Sequence, residues 1–137
     1  MKGSYILLIE LKKDILAPIG KLGIKHFSKG YYVYVGSALN GLEQRIQRHL
    51  RRQKKMHWHI DYFLKHAEIK NVFYKESNIR EECKIAKTLE SALSPIPGFG
   101  CSDCKCKSHF FYTSLNDVTN IVDKLGMIPY TKVDANA

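Results

Sequence analysis

The stretch Gly30-Tyr31-Tyr32-Val33-Tyr34-Val35-Gly36-Ser37-Ala38, continued by Leu39-Asn40-Gly41-Leu42-Glu43-Gln44-Arg45-Ile46-Gln47-Arg48-His49-Leu50-Arg51-Arg52, decides how this chain folds. From Tyr31 to Val35 every residue is β-branched or aromatic, which favours a strand closed at Gly36. Asn40-Gly41 then breaks the strand and opens a helix. Leu42, Ile46, His49 and Leu50 recur at helical spacing, with Arg45, Arg48, Arg51 and Arg52 on the other faces. Arg45 and His49 stand at i and i+4, so both project from one side of that helix.

Towards the N-terminus, residues 4–10 read as a buried strand bounded by Gly3 and Lys12-Lys13. Pro18, Gly20, Gly23 and Gly30 punctuate turns around a short strand near Gly23 to Phe27. The first strand and the Tyr31–Gly36 strand are expected to pair antiparallel. Towards the C-terminus, a helix is expected across Trp58 to His66 and a strand from Lys70 to Glu76. Ser77 or Asn78 then caps a helix to about Leu93, with Ile79, Cys83, Ile85, Ala86 and Leu89 as its buried stripe. Pro95, Pro97, Gly98 and Gly100 lead into a cysteine-containing loop, a strand at Phe110–Tyr112 and a last helix over Asp117–Leu125. The expectation is one α+β domain over residues 1–125, with helices packed on a small antiparallel sheet and a loosely held tail over 126–137.

The 137 residues suffice for one domain with a real core, and no apolar run approaches the roughly 20 residues of a membrane span. Met1 to Glu10 reads as a strand rather than an export signal, so a cytoplasmic protein with no membrane partner is expected. In that setting Cys83, Cys101, Cys104 and Cys106 are expected as thiols or metal ligands rather than disulfides, with Cys83 in the core. The net charge of +9 and pI near 9.4 favour a polyanion, because each neutralised phosphate releases condensed counterions.

If the first two strands pair, Tyr5 comes alongside Tyr34, and two phenols, Arg45 and His49 converge on one groove. Phenols serve as acid–base groups when cationic neighbours lower their pKa, and an arginine can grip a phosphate with two N–H groups. Arg48, Arg51, Arg52, Lys54, Lys55 and His57 form the densest basic segment and read as a phosphate-tracking surface. Trp58 within it could stack on a base, but packing into the core is the favoured reading. His59 or Asp61 is expected to cap the second helix. Cys101-x2-Cys104-x-Cys106-x2-His109 is crowded for a zinc tetrahedron. A tight loop in which Ser102, Lys105 and Lys107 meet phosphate is the alternative reading.

At these residues the chain resembles a known family. Gly3-Ser4-Tyr5 and Tyr34-Val35-Gly36 resemble the signature tripeptides of GIY-YIG nucleases, Arg45 and His49 the arginine and histidine of their first helix, and Glu82 the glutamate of a later helix. Residues 30–38, His57-Trp58-His59-Ile60-Asp61-Tyr62 and Pro97-Gly98-Phe99-Gly100-Cys101-Ser102-Asp103-Cys104 are similar to the stand-alone Uri-type branch, a domain also found fused to endonuclease III. This likeness covers residues 3–113. It implies a three-stranded antiparallel sheet flanked by helices and a DNA endonuclease, with a DNA-repair glycosylase as a partner by analogy and RNA as a second substrate candidate. It implies Tyr5 as general base aided by His49, Tyr34 in contact with the scissile phosphate or a metal-bound water, Ser37 as a nucleic-acid-binding residue, and Arg45 against developing charge. Glu82 would hold one Mg²⁺ or Mn²⁺. The tripeptides stand further apart here than in the family, so residues 11–30 form an inserted excursion. Glu81 is an alternative to Glu82, and Ser102 or Asp103 stands where the family has a late asparagine. A nucleic-acid-binding module of the same fold with little catalysis, and a zinc-stabilised adaptor, are the competing readings.

Overall fold

The computed structural model describes residues 2–100 and 106–130. Strand β1 (Gly3–Leu11) is hydrophobic almost throughout, and β4 (Gly30–Ala38) is nearly as apolar. That pattern suits strands covered on both faces, and both lie at the centre of a sheet. The sheet has six strands in the order β6 (Ser94–Pro95), β7 (Phe110–Thr113), β4, β1, β5 (Glu68–Glu76) and β8 (Ile128–Tyr130), all neighbours antiparallel. The architecture is α+β. The three strands β4-β1-β5 form its middle, and the sheet extends beyond them on both sides.

Alternation along β1 divides two cores. Tyr5, Leu7, Ile9 and Leu11 face one side, joined by Tyr32 and Tyr34 of β4. That side is covered by α1 (Leu42–Leu50), through Leu42 and Ile46, and by α2 (His59–Phe63), through Ile60 and Phe63. Ile6, Leu8, Val33 and Val35 face the other side, against Ile85, Ala86 and Leu89 of α3 (Glu82–Glu90) and Val118, Ile121 and Val122 of α4 (Leu115–Leu125). Phe63, Phe99 and Phe110 are fully buried, each burial worth about 1.5–3 kcal/mol. Phe99 stacks on Phe110 at 4.3 Å between centroids.

The excursion between β1 and β4 folds as a separate two-stranded ribbon, β2 (Ile15–Pro18) against β3 (Ile24–Phe27). It contributes Ala17, Ile19 and Phe27 to the first core. Its second strand was readable; the first, which ends in a proline, was not.

Three differences from the sequence reading have local causes. The helix expected from Ser77 begins at Glu82, because the Ser77 hydroxyl accepts from Ile79 N–H and holds a local turn instead. Ile79, expected in the buried stripe, is therefore exposed. Residues 126–130, read as the start of a tail, continue the sheet. Gly126 ends α4 in the left-handed region, Met127 is buried, and Tyr130 accepts a hydrogen bond from Gln47 of α1 at 3.0 Å. Cys83 lies at the first turn of α3 beside His109 rather than in the core. No helix among the described residues is long and apolar enough to cross a membrane.

Candidate functional site

The register of β1 against β4 sets the site. Tyr5 lies opposite Gly36, and Leu7 lies opposite Tyr34, so the two tyrosines share a face two residues apart. The Tyr5 ring crosses over Gly36, where an added Cβ would stand 2.5 Å from its hydroxyl. Only glycine leaves room for that crossing. The rings of Tyr5 and Tyr34 both meet His49 from α1, at 5.4 and 6.0 Å between centroids. The Tyr5 hydroxyl is 2.7 Å from His49 Nε2.

Around these groups lies a cleft of about 520 Å³, at the end of the sheet where β1 begins and β4 ends. Tyr5, Tyr34, Arg45 and Trp58 line it, together with Glu82 and Cys83 from the first turn of α3 and Arg80 just before that helix. Arg45 donates to the Ser37 carbonyl and lies over the Trp58 ring at 5.1 Å. Glu82 is the one carboxylate among the described residues that line the cleft, and it stands 3.8 Å from Arg80. Glu81 instead approaches Lys75 at 3.9 Å. Of the two adjacent glutamates, Glu82 faces the cleft.

Burial dominates the electrostatics. It raises the Tyr5 pKa well above the ordinary value; Tyr34 adds to the rise, and Arg45 opposes it without prevailing. It pushes His49 down to about 3, against the opposing pull of Asp61. The cationic neighbours expected to lower the phenol are thus outweighed by the loss of solvent. A neutral imidazole beside a neutral phenol is the resting pair, and its Nε2 can accept the phenol proton. His49 Nδ1 is buried with no hydrogen-bond partner among the described residues.

This chain belongs to the DUF123 family. The family's profile, described as a domain of unknown function, matches residues 4–127, which spans every described residue of the cleft. No curated protein and no solved structure matches the chain.

Within this DUF123 domain the basic segment divides in two. Arg48 donates two bonds of 3.0 Å to the buried Asp61 carboxylate and one to the Lys55 carbonyl. Lys54 donates to the carbonyls of Arg48 and His49, where it caps the end of α1. Both are thus committed within the protein. Burial disfavours the charged Asp61, but the Arg48 bonds and the N–H groups of Trp58 and His57 hold its pKa below the ordinary carboxylate value. Asp61 therefore fixes the start of α2, as its sequence position suggested. Arg51, Arg52 and Lys55 remain exposed on the connection that leads to His57 and Trp58, and Lys107 is exposed while lying 3.3 Å from Glu90. Ser102 and Lys105 lie outside the described residues, as do Cys101, Asp103 and Cys104.

Trp58 packs partly buried against the first core, as expected, and also lines the DUF123 cleft, flanked by Arg45 and by Arg48 at 4.5 Å. His59 accepts from Gly100 N–H at 2.9 Å and so ties α2 to the loop before β7. Gly100 has a φ of +75°, and a Cβ there would press on His109 and Tyr34. Cys83, Cys106 and His109 bring ligand atoms within 4.8 Å of one another, a group that could hold a metal ion. Sequence spacing offered Cys106 and His109 as metal candidates but hid Cys83, which comes from α3 while the other two come from the strand-side loop.

Proposed function

We propose that this DUF123 domain is a metal-dependent endonuclease that hydrolyses phosphodiester bonds of DNA, similar in its site to the Uri-type GIY-YIG nucleases. The observation that carries the reading is the 2.7 Å pair of Tyr5 and His49 in a cleft shared with Tyr34, Arg45 and Glu82. A phosphate needs an electrophilic clamp, a proton acceptor for water and an anchor for a hard cation, and these five side chains supply all three.

The Tyr5 hydroxyl takes a proton from the attacking water as its own proton passes to His49 Nε2, so no free phenolate forms in a buried site. The anionic phosphate in the cleft raises the proton affinity of an imidazole that burial otherwise holds at about 3. This relay accommodates a phenol whose pKa is raised. Water oxygen bonds to phosphorus, and the P–O bond to the leaving sugar oxygen breaks. That oxygen takes a proton from solvent as His49 returns its own to solvent through Tyr5, leaving a phosphomonoester and a hydroxyl. Arg45, already aligned by Ser37 and Trp58, neutralises charge gathering on the phosphoryl oxygens. Tyr34 borders the same space and orients the phosphate. Glu82, a partly exposed carboxylate, suits one Mg²⁺ or Mn²⁺ that keeps most of its waters. When bound, the ion would polarise the phosphate and stabilise the departing oxygen.

The exposed Arg51, Arg52 and Lys55 extend a cationic path away from the cleft, and Trp58 offers a face for a base. DNA is the favoured substrate, as in repair or processing of structured DNA. RNA is the second candidate, and a DNA-repair glycosylase is the partner suggested by the fused relatives. The competing reading is a nucleic-acid-binding module with little catalysis, which the deep burial of Tyr5 favours. Incubation of supercoiled plasmid with Mn²⁺ or Mg²⁺ separates the two. Nicking by the intact protein that is lost in Arg45→Ala and Glu82→Gln supports the nuclease. Cleavage unchanged in both variants overturns the assigned site, and binding without cleavage supports the module.

A further inference from the structure

We infer that Cys83, Cys106 and His109 form a binding site for a zinc-class cation, built without Glu82 though beside it in the cleft, that ties the first turn of α3 to the segment entering β7. The three residues come from two elements far apart in sequence, yet Cys83 Sγ and His109 Nε2 stand 3.8 Å apart and all three ligand atoms lie within 4.8 Å. In a tetrahedral zinc site, bonds of about 2.3 Å to sulfur and about 2.05 Å to nitrogen separate S from N by about 3.6 Å and two sulfurs by about 3.8 Å. The Cys83–His109 separation of 3.8 Å is close to that geometry, and the 4.8 Å within which the whole set lies exceeds it by about 1 Å.

The donor set selects the class of metal. Two thiols and an imidazole favour zinc or a similar soft to borderline cation, whereas Mg²⁺ prefers oxygen donors. Glu82 offers carboxylate oxygen and the neighbouring Cys83 offers sulfur, so adjacent residues sort two kinds of cation. The three protein ligands leave one position of the tetrahedron outside this set.

The structural consequence is specific. Backbone bonds already hold His109 to both Phe99 and Val35, so His109 is fixed to the sheet. Among the described residues the start of α3 has no side-chain cap, and its N-cap is Glu81. A cation bridging Cys83 to His109 and Cys106 would anchor that uncapped turn, and with it the Glu82 backbone, against the sheet.

The test uses the intact chain, reduced and stripped of metal, titrated with Zn²⁺ and separately with Co²⁺. One equivalent of Zn²⁺ bound, with a thiolate-to-cobalt charge-transfer band on Co²⁺ addition, is expected. Cys83→Ser and Cys106→Ser should each weaken binding at least tenfold, while Glu82→Gln leaves it unchanged. Because a serine variant could lose its fold, the unmutated protein is also melted with and without Zn²⁺. A rise in melting temperature with Zn²⁺ is the expected result. The inference is overturned if the reduced protein takes up no Zn²⁺. It is equally overturned if Cys83→Ser binds normally while Cys101→Ser or Cys104→Ser abolishes uptake. Metal content and melting are read without any cleavage assay, so this result stands apart from the nuclease reading.

Discussion

The hydroxyl of Tyr5 and Nε2 of His49 are 2.7 Å apart, and both side chains are buried. Forty-four positions separate them in sequence, so the pair exists only because β1 runs antiparallel to β4 and α1 folds back over both. Tyr5→Phe removes the proton relay while keeping the ring over Gly36. Plasmid cleavage should fall by about 10²–10⁴-fold, the usual range for a general acid–base group. Stability should fall by only about 1–3 kcal/mol, from leaving one buried nitrogen unsatisfied. Cleavage rates measured well below the melting temperature, beside denaturant unfolding, check both figures.

The same pair gives folding a pH dependence. Burial pushes His49 down to about 3 in the folded protein, while an unfolded histidine titrates near 6.5. Above pH 6.5 the residue is neutral in both states and its contribution to stability is complete. As pH falls below 6.5 the unfolded chain gains a proton that the folded site refuses. Stability then drops by about 1.4 kcal/mol per pH unit until the folded pKa is reached. Asp61 opposes this shift, Lys54, Arg48 and Arg45 reinforce it, and Tyr5 and Tyr34 face the ring. Unfolding curves of the natural protein and His49→Gln at pH 7 and pH 5 should therefore diverge by about 2 kcal/mol, with the variant losing less. Parallel pH profiles would contradict a neutral buried His49.

The sequence carried the central elements clearly because their signals are local. The continuous apolar and aromatic runs of β1 and β4 and the four-residue spacing in α1 are written within short windows, and the structure keeps Arg45 and His49 on the α1 side facing the tyrosines. What failed to show was set by distant contacts. β6 and β8 are two and three residues long, too short to announce themselves, and they exist because neighbouring strand edges receive them. The place of Trp58 along the cleft, beyond its packing on the core, depends on Arg45 and Arg48 from another helix. Cys83 read as core because its helix was drawn from Ser77; with the start moved to Glu82, the same residue faces His109. The sign of the Tyr5 shift also escaped, since sequence reveals charged neighbours but not the depth of burial that outweighs them.

Gly36 is predicted to tolerate no side chain. A Cβ there would fall 2.5 Å from both Cζ and the hydroxyl of Tyr5, well inside contact distance. The tyrosine ring is fully buried, so it must shift against packed neighbours. Gly36→Ala should cost about 1–3 kcal/mol as an overpacking substitution. It should also break the Tyr5–His49 bond, so cleavage should fall about as far as in Tyr5→Phe. A variant with lowered melting temperature but full cleavage would show that the Tyr5 position is not critical.

The basic residues of the α1–α2 connection should divide into two experimental classes. Arg51, Arg52 and Lys55 are exposed, whereas Arg48 is locked to Asp61 and Lys54 to the last carbonyls of α1. Replacing all three exposed residues by glutamine should leave stability nearly unchanged and flatten the salt dependence of DNA binding. The slope of log K against log salt should shrink by about 0.9 for each phosphate that is no longer neutralised. Arg48→Ala acts on folding instead, because it strands the Asp61 carboxylate, which is completely buried. Breaking such a pair costs about 3–5 kcal/mol. Filter binding across a salt series, run beside thermal melts, distinguishes the classes. A triple variant with an unaltered salt slope would remove this connection from the nucleic-acid path and leave the cleft rim, with Arg80 and His57, to carry it.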